Sequence, residues 1–122
     1  MEPRAIEVKV INSLPVDERV EYFLNRIVDN DELWSTANDV GWVKQNISGH
    51  EVVRLWPYHE FIWEGANKRG MVSFEYFKGK VLPELIKSGV DVEIFPVKDD
   101  AGKLLTATEF KKLLEEELEV EC

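Results

Sequence analysis

At 122 residues the chain fits one domain, and a domain of that length buries roughly two-thirds of the surface its unfolded chain exposes, enough for a core without metals or disulfides. Hydrophobic residues make up 44% and charged residues 32%, which excludes intrinsic disorder, and a net charge of −9 spread over both halves disfavours nucleic acid and anionic membrane. No apolar run approaches the roughly 18 residues of a membrane span, MEPRAIEVKV carries no secretory h-region, and the single cysteine, Cys122, excludes an internal disulfide or a cysteine-rich zinc site, so the expected compartment is the cytosol.

Ile6, Val8 and Val10 alternate with Glu7 and Lys9, the period-2 pattern of a half-buried strand. Pro15 with Asp17 and Glu18 opens a helix whose apolar stripe is Val16, Val20, Phe23, Leu24, Ile27 and Val28, and Asp29-Asn30-Asp31 stops it. Leu33-Trp34 precede a polar turn at Thr36–Asp39. Val40–Ile47 and Glu51–Trp56, joined by Ser48-Gly49-His50, predict a β-hairpin with Trp42 in its first strand. Pro57 then predicts a helix with Tyr58, Phe61, Ile62, Gly65 and Ala66 inward, which leaves His59 and Trp63 together on its flank, four residues apart.

Gly65–Gly70 loosens the chain before a second helix, N-capped by Ser73 and carrying Phe74, Phe77, Val81, Leu82 and Leu85 inward. Pro83 interrupts that pattern, because its ring clashes with the carbonyl of Gly79, so a kink or two short helices are expected. Gly89 ends the helix. Val90, Val92 and Ile94 alternate into a strand closed by Pro96. After a turn at Lys98–Gly102, Leu104-Leu105 predict a short strand. Thr106 and Glu109 form a capping box for a last helix with Phe110, Leu113, Leu114 and Leu118 inward, and the acids crowding its C-terminus oppose the macrodipole and should fray the last turn.

Catalytic templates are missing. His59-Glu60 begins the zincin motif, but Trp63 stands where the second histidine is required. Gly65 and Gly70 have phosphate-loop spacing, yet Met71-Val72 replace the necessary Lys and Ser or Thr. Asp99, Asp100 and Gly102 lack the alternating ligands of a calcium loop, no Gly-x-Ser-x-Gly elbow exists, and two histidines leave little acid–base chemistry. No cofactor or metal is expected, and the reading leans away from an enzyme. The binding candidates are Trp56, His59 and Trp63, as an aromatic ridge or as plain core packing, with Lys68 and Arg69 from the 64–90 segment, where five cations face three acids.

Leu33-Trp34, Gly41-Trp42-Val43, Leu55-Trp56-Pro57, Val81-Leu82-Pro83, Leu85, Gly89 and Ile94-Phe95-Pro96 together resemble DUF2750, a family of small bacterial proteins with no established activity. The likeness runs from about Leu14 to Leu118, with the Trp-Pro and Phe-Pro junctions its most specific parts; the layout is more weakly similar to SseB-like modules. It implies a bacterial cytosolic protein and supplies no catalytic residues. The expected fold is α+β in the order β-α-β-β-α-α-β-α, a mainly antiparallel sheet of four to five strands with helices packed on it. One domain spans 1–122, with 1–12 an added strand and 13–122 the family-like part. The expected role is a non-catalytic protein-interaction module, adaptor or immunity-like. Its partner is a protein of basic character rather than nucleic acid or membrane, and the chain itself is a monomer or homodimer. The alternative is a small ligand-binding or enzymatic domain with a pocket near His59.

Overall fold

Of the stripe read from Val16, Val20, Phe23, Leu24, Ile27 and Val28, the middle four are buried in helix α2, Val16–Asn30, while Val16 is partly buried and Val28 exposed, in the computed structural model, which describes residues 5–63, 68–98 and 100–118. Pro15 precedes it, Asp17 and Glu18 occupy the first turn, and Asp31 ends it in the left-handed region at φ 54°. The Asp31 carboxylate also accepts the backbone N–H of Phe74 at 2.9 Å, so the end of this helix anchors the start of a later one.

The expected N-terminal strand is a helix instead. Ala5–Asn12 forms α1, which half-buries Val8 and Ile11 against the core and leaves Ile6 and Val10 in solvent. Three apolar residues at alternate positions cannot make a strand without a neighbour to pair with, and here polar docking decides. Glu7 accepts the Tyr22 hydroxyl at 2.6 Å and lies 3.5 Å from Arg26. Burial and then the Glu7 hydrogen bond push the Tyr22 phenol up to about 12. A folded-state value above that of the unfolded chain contributes stability below pH 10 and loses it as the pH climbs through the folded value. The wild type should therefore lose melting temperature more steeply than Tyr22→Phe between about pH 10 and 12, as thermal melts at stepped pH would show.

Six strands form two sheets among the described residues. β1 (Leu33–Ala37) pairs antiparallel with β4 (Lys68–Val72). The larger sheet has the order β2-β3-β5-β6, with β2 Gln45–Ile47, β3 His50–Leu55, β5 Asp91–Ile94 and β6 Lys103–Leu105. Its outer pairs are antiparallel and its central β3–β5 pair is parallel. The α+β class and the mostly antiparallel pairing stand, but the sheet is mixed and the strands outnumber the four or five expected. Trp34 and Trp56 exchange backbone hydrogen bonds at 2.9 and 2.8 Å, which fastens the small sheet to the end of β3.

The hairpin forms with a tighter link than expected. Ser48 and Gly49 both take positive φ, 53° and 86°, as a two-residue turn between right-twisted strands requires, and His50 already belongs to β3. Trp42 lies outside β2 and bridges Ala37 instead.

The largest departure follows Pro57. Tyr58 stays extended at φ −158°, only His59–Phe61 makes a 3-10 turn, and Gly65 and Ala66 lie outside the described residues. Trp56, Tyr58, Phe61 and Ile62 are all buried, Phe61 with its ring edge-on to Phe95 and Tyr22. The tie between Trp56 and Trp34 keeps the chain extended, so the helical spacing of these apolar residues was coincidental.

Pro83 has the predicted effect. Phe74–Tyr76 (α3) begins under a Ser73 cap, Phe77–Val81 is a π turn, and Leu82–Ser88 (α4) follows, ending on Gly89 at φ 68°. The wide turn makes room for the proline ring, and the Leu82 N–H reaches back five residues to the Phe77 carbonyl. Thr106 and Glu109 exchange both capping-box bonds, at 2.9 and 3.0 Å, before α5, Ala107–Leu118. Glu115, Glu116 and Glu117 lie within α5, which is helical to Leu118; Glu119 and Glu121 lie outside the described residues.

Candidate functional site

Between the small sheet and the interrupted helix lies an open groove of about 810 Å³, within the size range of binding pockets. Its first wall begins where β1 ends. The Asn38 side chain accepts the N–H groups of Val40 (2.8 Å) and Gly41 (3.1 Å), which turns the chain back so that Trp42 crosses Ala37. The Trp42 indole then donates to the Gly70 carbonyl of β4 at 3.1 Å. A Cβ on Gly70 would sit 3.1 Å from both the Ala37 Cβ and the Trp42 Nε1, so glycine lets the indole approach the strand without displacing either neighbour.

The second wall is made by the π turn. In an unbroken α-helix Tyr76, Lys80, Val81, Glu84, Leu85 and Ser88 would spread over about 180° of the circumference; the extra residue turns everything after it back and gathers them within roughly 120°. All six line the groove. Val53, Leu85 and Val90, each nearly or fully buried, close its base. Val40, Met71 and Tyr76 are exposed at its mouth, with Val40 at 96%. The polar groups on the lining are few: Lys44, Lys80, Glu84, Tyr76, Asn38 and Ser88. Such a surface holds an apolar body and orients it by charge at the rim; it presents no histidine or cysteine for nucleophilic or acid–base work.

The five candidates from the sequence sit in different surroundings, outside the groove. Trp56 is fully buried and donates its indole N–H to the Pro96 carbonyl at 2.9 Å, so it is no part of a surface ridge. His59 is half-buried and makes tilted ring contacts with Tyr58 and Trp34, with centroids 4.4 and 5.1 Å away. Trp63 is 44% exposed beside a smaller recess of about 240 Å³ that also holds Arg19 and Asp100. Lys68 pairs with Asp39, and Arg69 donates to the Ile62 carbonyl at 3.0 Å. Without a helix after Pro57, His59 and Trp63 lose the i, i+4 relation that placed them side by side. None of the five lines the groove. Among the described residues no three His, Cys, Asp or Glu side chains converge on a metal-sized site, and no helix is long and apolar enough to cross a membrane.

The junctions that carry the family resemblance meet in space. Trp56-Pro57 and Phe95-Pro96 follow the ends of the two parallel strands, and the Trp56 to Pro96 hydrogen bond ties one to the other. Phe95 is held at φ 57°, a costly conformation for an aromatic residue, by donation from its N–H to the Leu55 carbonyl at 2.8 Å and by acceptance from Arg19 Nε at 3.1 Å. A family model described as "Protein of unknown function (DUF2750)" matches residues 20–114. The chain belongs to DUF2750. No curated protein and no solved structure matches it. Every residue lining the groove falls inside the DUF2750 match, whereas α1 precedes it.

The groove was hidden from sequence reasoning for two reasons. β4 reads KRGMV, with a glycine and two cations, and looked like a loosened link. The grouping of the helix side chains depends on the π turn, whose position Pro83 signals but whose rotational effect appears only with the helix built.

Proposed function

We propose that this DUF2750 protein is a non-catalytic protein-interaction module and that the groove between Trp42 and the π turn is its contact surface. The observation that carries this reading is the groove itself: an apolar base continuous with the core, an exposed apolar mouth and very few polar groups. The single cysteine and the acidic composition fit a protein working in the cytosol. The field of −9 draws a basic partner at long range, but it is screened beyond about 8–10 Å, so contacts inside the groove answer to the lysines on its own rim.

Trp63 supports a second contact surface, because an indole left 44% exposed beside a recess is a typical interface anchor. Affinity capture with three versions of the full chain separates the two. Met71→Glu places a charge at the groove mouth on a half-exposed strand residue and should abolish retention of the specific partner, while Trp63→Ala keeps it. Retention by Met71→Glu with loss by Trp63→Ala would move the contact to the Trp63 flank. A partner retained by both would end the groove reading.

A further inference from the structure

We infer that the groove takes a short amphipathic segment of a protein partner in which apolar anchors are flanked by acidic residues. The inference rests on the binding reading above and goes beyond it in naming the chemistry of the occupant. Lys44 and Lys80 come from opposite walls, one from the turn that carries Trp42 and the other from the π turn. Among the described residues neither has a carboxylate within ion-pair distance, as is also true of Lys9, Lys87, Lys98, Lys111 and Lys112; Lys44 and Lys80 differ from those in lining the groove. The one acid on the lining, Glu84, already accepts the Ser88 hydroxyl at 3.3 Å.

The lysines therefore stand as two uncommitted cations on either side of an apolar trough, in a protein whose charge is otherwise strongly negative. Lysine stems lie along apolar surface while their ammonium groups stay in water, so both heads reach a ligand at the rim without being desolvated. Carboxylates beside the apolar anchors would meet those heads, and basic residues there would be repelled. The open form of the groove suits a chain segment rather than an enclosed small molecule, and side-chain anchors entering from above reach Val53, Leu85 and Val90 at its base.

The test pans a display library of random peptides of about 16 residues, long enough for about four helical turns, against the full chain. Recovered peptides are then measured on the wild type, on Met71→Glu and Val40→Glu, and on the Lys44→Glu/Lys80→Glu double variant, each checked for an unchanged melting temperature. The expected peptides carry spaced apolar residues with an excess of Asp and Glu and fail on both groove-mouth variants. They should bind on the order of tenfold more weakly to the double lysine variant, and weaken again between about 0.05 and 0.5 M salt. Peptides that need Met71 and Val40 but are neutral or basic would overturn the inference and leave the binding reading standing. The absence of any peptide sensitive to Met71→Glu counts against both. A dimer of the chain that Met71→Glu dissociates would put a second copy in the groove and overturn the inference.

Discussion

Gly102→Ala should destabilise the protein by about 3 kcal/mol, at the top of the range for forcing atoms into a filled space, and should lower the melting temperature by roughly 10 °C. A Cβ at this position would stand 2.4 Å from the Ile94 carbonyl oxygen and 2.8 Å from the Pro96 nitrogen. Both are backbone atoms, so no side-chain rotation relieves the overlap. The strand end or the turn would have to move, and each is tied down. The Gly102 N–H donates to Glu93 at 3.0 Å, and Glu93, buried on β5, is paired with Arg54 on β3 at 2.8 Å. A shift of the turn would break the first bond and expose a buried carboxylate to partial desolvation without a full set of partners. Gly79→Ala is the control: nothing lies within 4 Å of its added Cβ, so the change should be neutral or stabilising by up to about 1 kcal/mol. Equal melting temperatures for the two alanine variants would refute the argument.

Arg19→Met should cost about 3 kcal/mol, because it keeps the volume of a fully buried side chain and removes every hydrogen bond it makes. The guanidinium spans four acceptors: the carbonyls of Phe95 (3.1 Å), Leu14 (2.7 Å) and Ala101 (2.8 Å) and the Asp100 carboxylate (3.0 Å). These groups lie before α2, after β5 and in the turn before β6, so one side chain fastens the start of α2 to the β5–β6 turn, whose own two sides are bridged at Val97 and Asp100. Losing it strands the carbonyls and removes one of the two hydrogen bonds that hold Phe95 in its left-handed conformation. Arg19→Lys should recover little, since one ammonium cannot reach acceptors spread along a planar fork. Asp100→Asn should cost under about 1 kcal/mol, because its side chain is 59% exposed and the arginine keeps its three carbonyls. Chemical denaturation of the three variants reads all of these. A loss for Asp100→Asn equal to that for Arg19→Met would mean that the ion pair, and not the carbonyl cage, holds the segments.

Arg19 also shows how far a sequence can be read. Arg19 sits in the first turn of an amphipathic helix beside Asp17 and Glu18, where a charged side chain is ordinarily exposed, yet it is among the most buried side chains among the described residues. The composition of its neighbours carried no sign of this, because its acceptors are backbone carbonyls up to 82 positions away. Glu93 hid in the same way: its place opposite Val92 and Ile94 predicted a solvent face, but β5 is an interior strand and the Gly102 turn covers that side. β1 was missed because Thr36–Asp39 looks like a polar turn, although Thr36 and Ser35 are buried on the strand and the Ser35 hydroxyl donates to the Arg54 carbonyl at 2.6 Å.

Local chemistry sufficed for elements whose signals act within a few residues. The α2 stripe from Val20 to Ile27, the Ser73 cap, the Thr106–Glu109 capping box, the Gly89 terminator and the break at Pro83 all depend on hydrogen bonds or sterics between near neighbours, and each is where the sequence by itself placed it; the hairpin forms too, with a two-residue turn at Ser48-Gly49 in place of the three-residue link. The family, too, was legible, since its Trp-Pro and Phe-Pro junctions are contiguous in the chain. What only the tertiary structure decided are the outcomes of competition between distant segments. The chain after Pro57 is extended because Trp56 is bonded to Trp34, the N-terminal segment is helical because Glu7 docks on Tyr22, and the groove exists because Trp42 lies across Gly70 opposite a helix turned by one residue. Each of these depends on contacts between residues far apart in the chain, and those have no signature in composition or spacing.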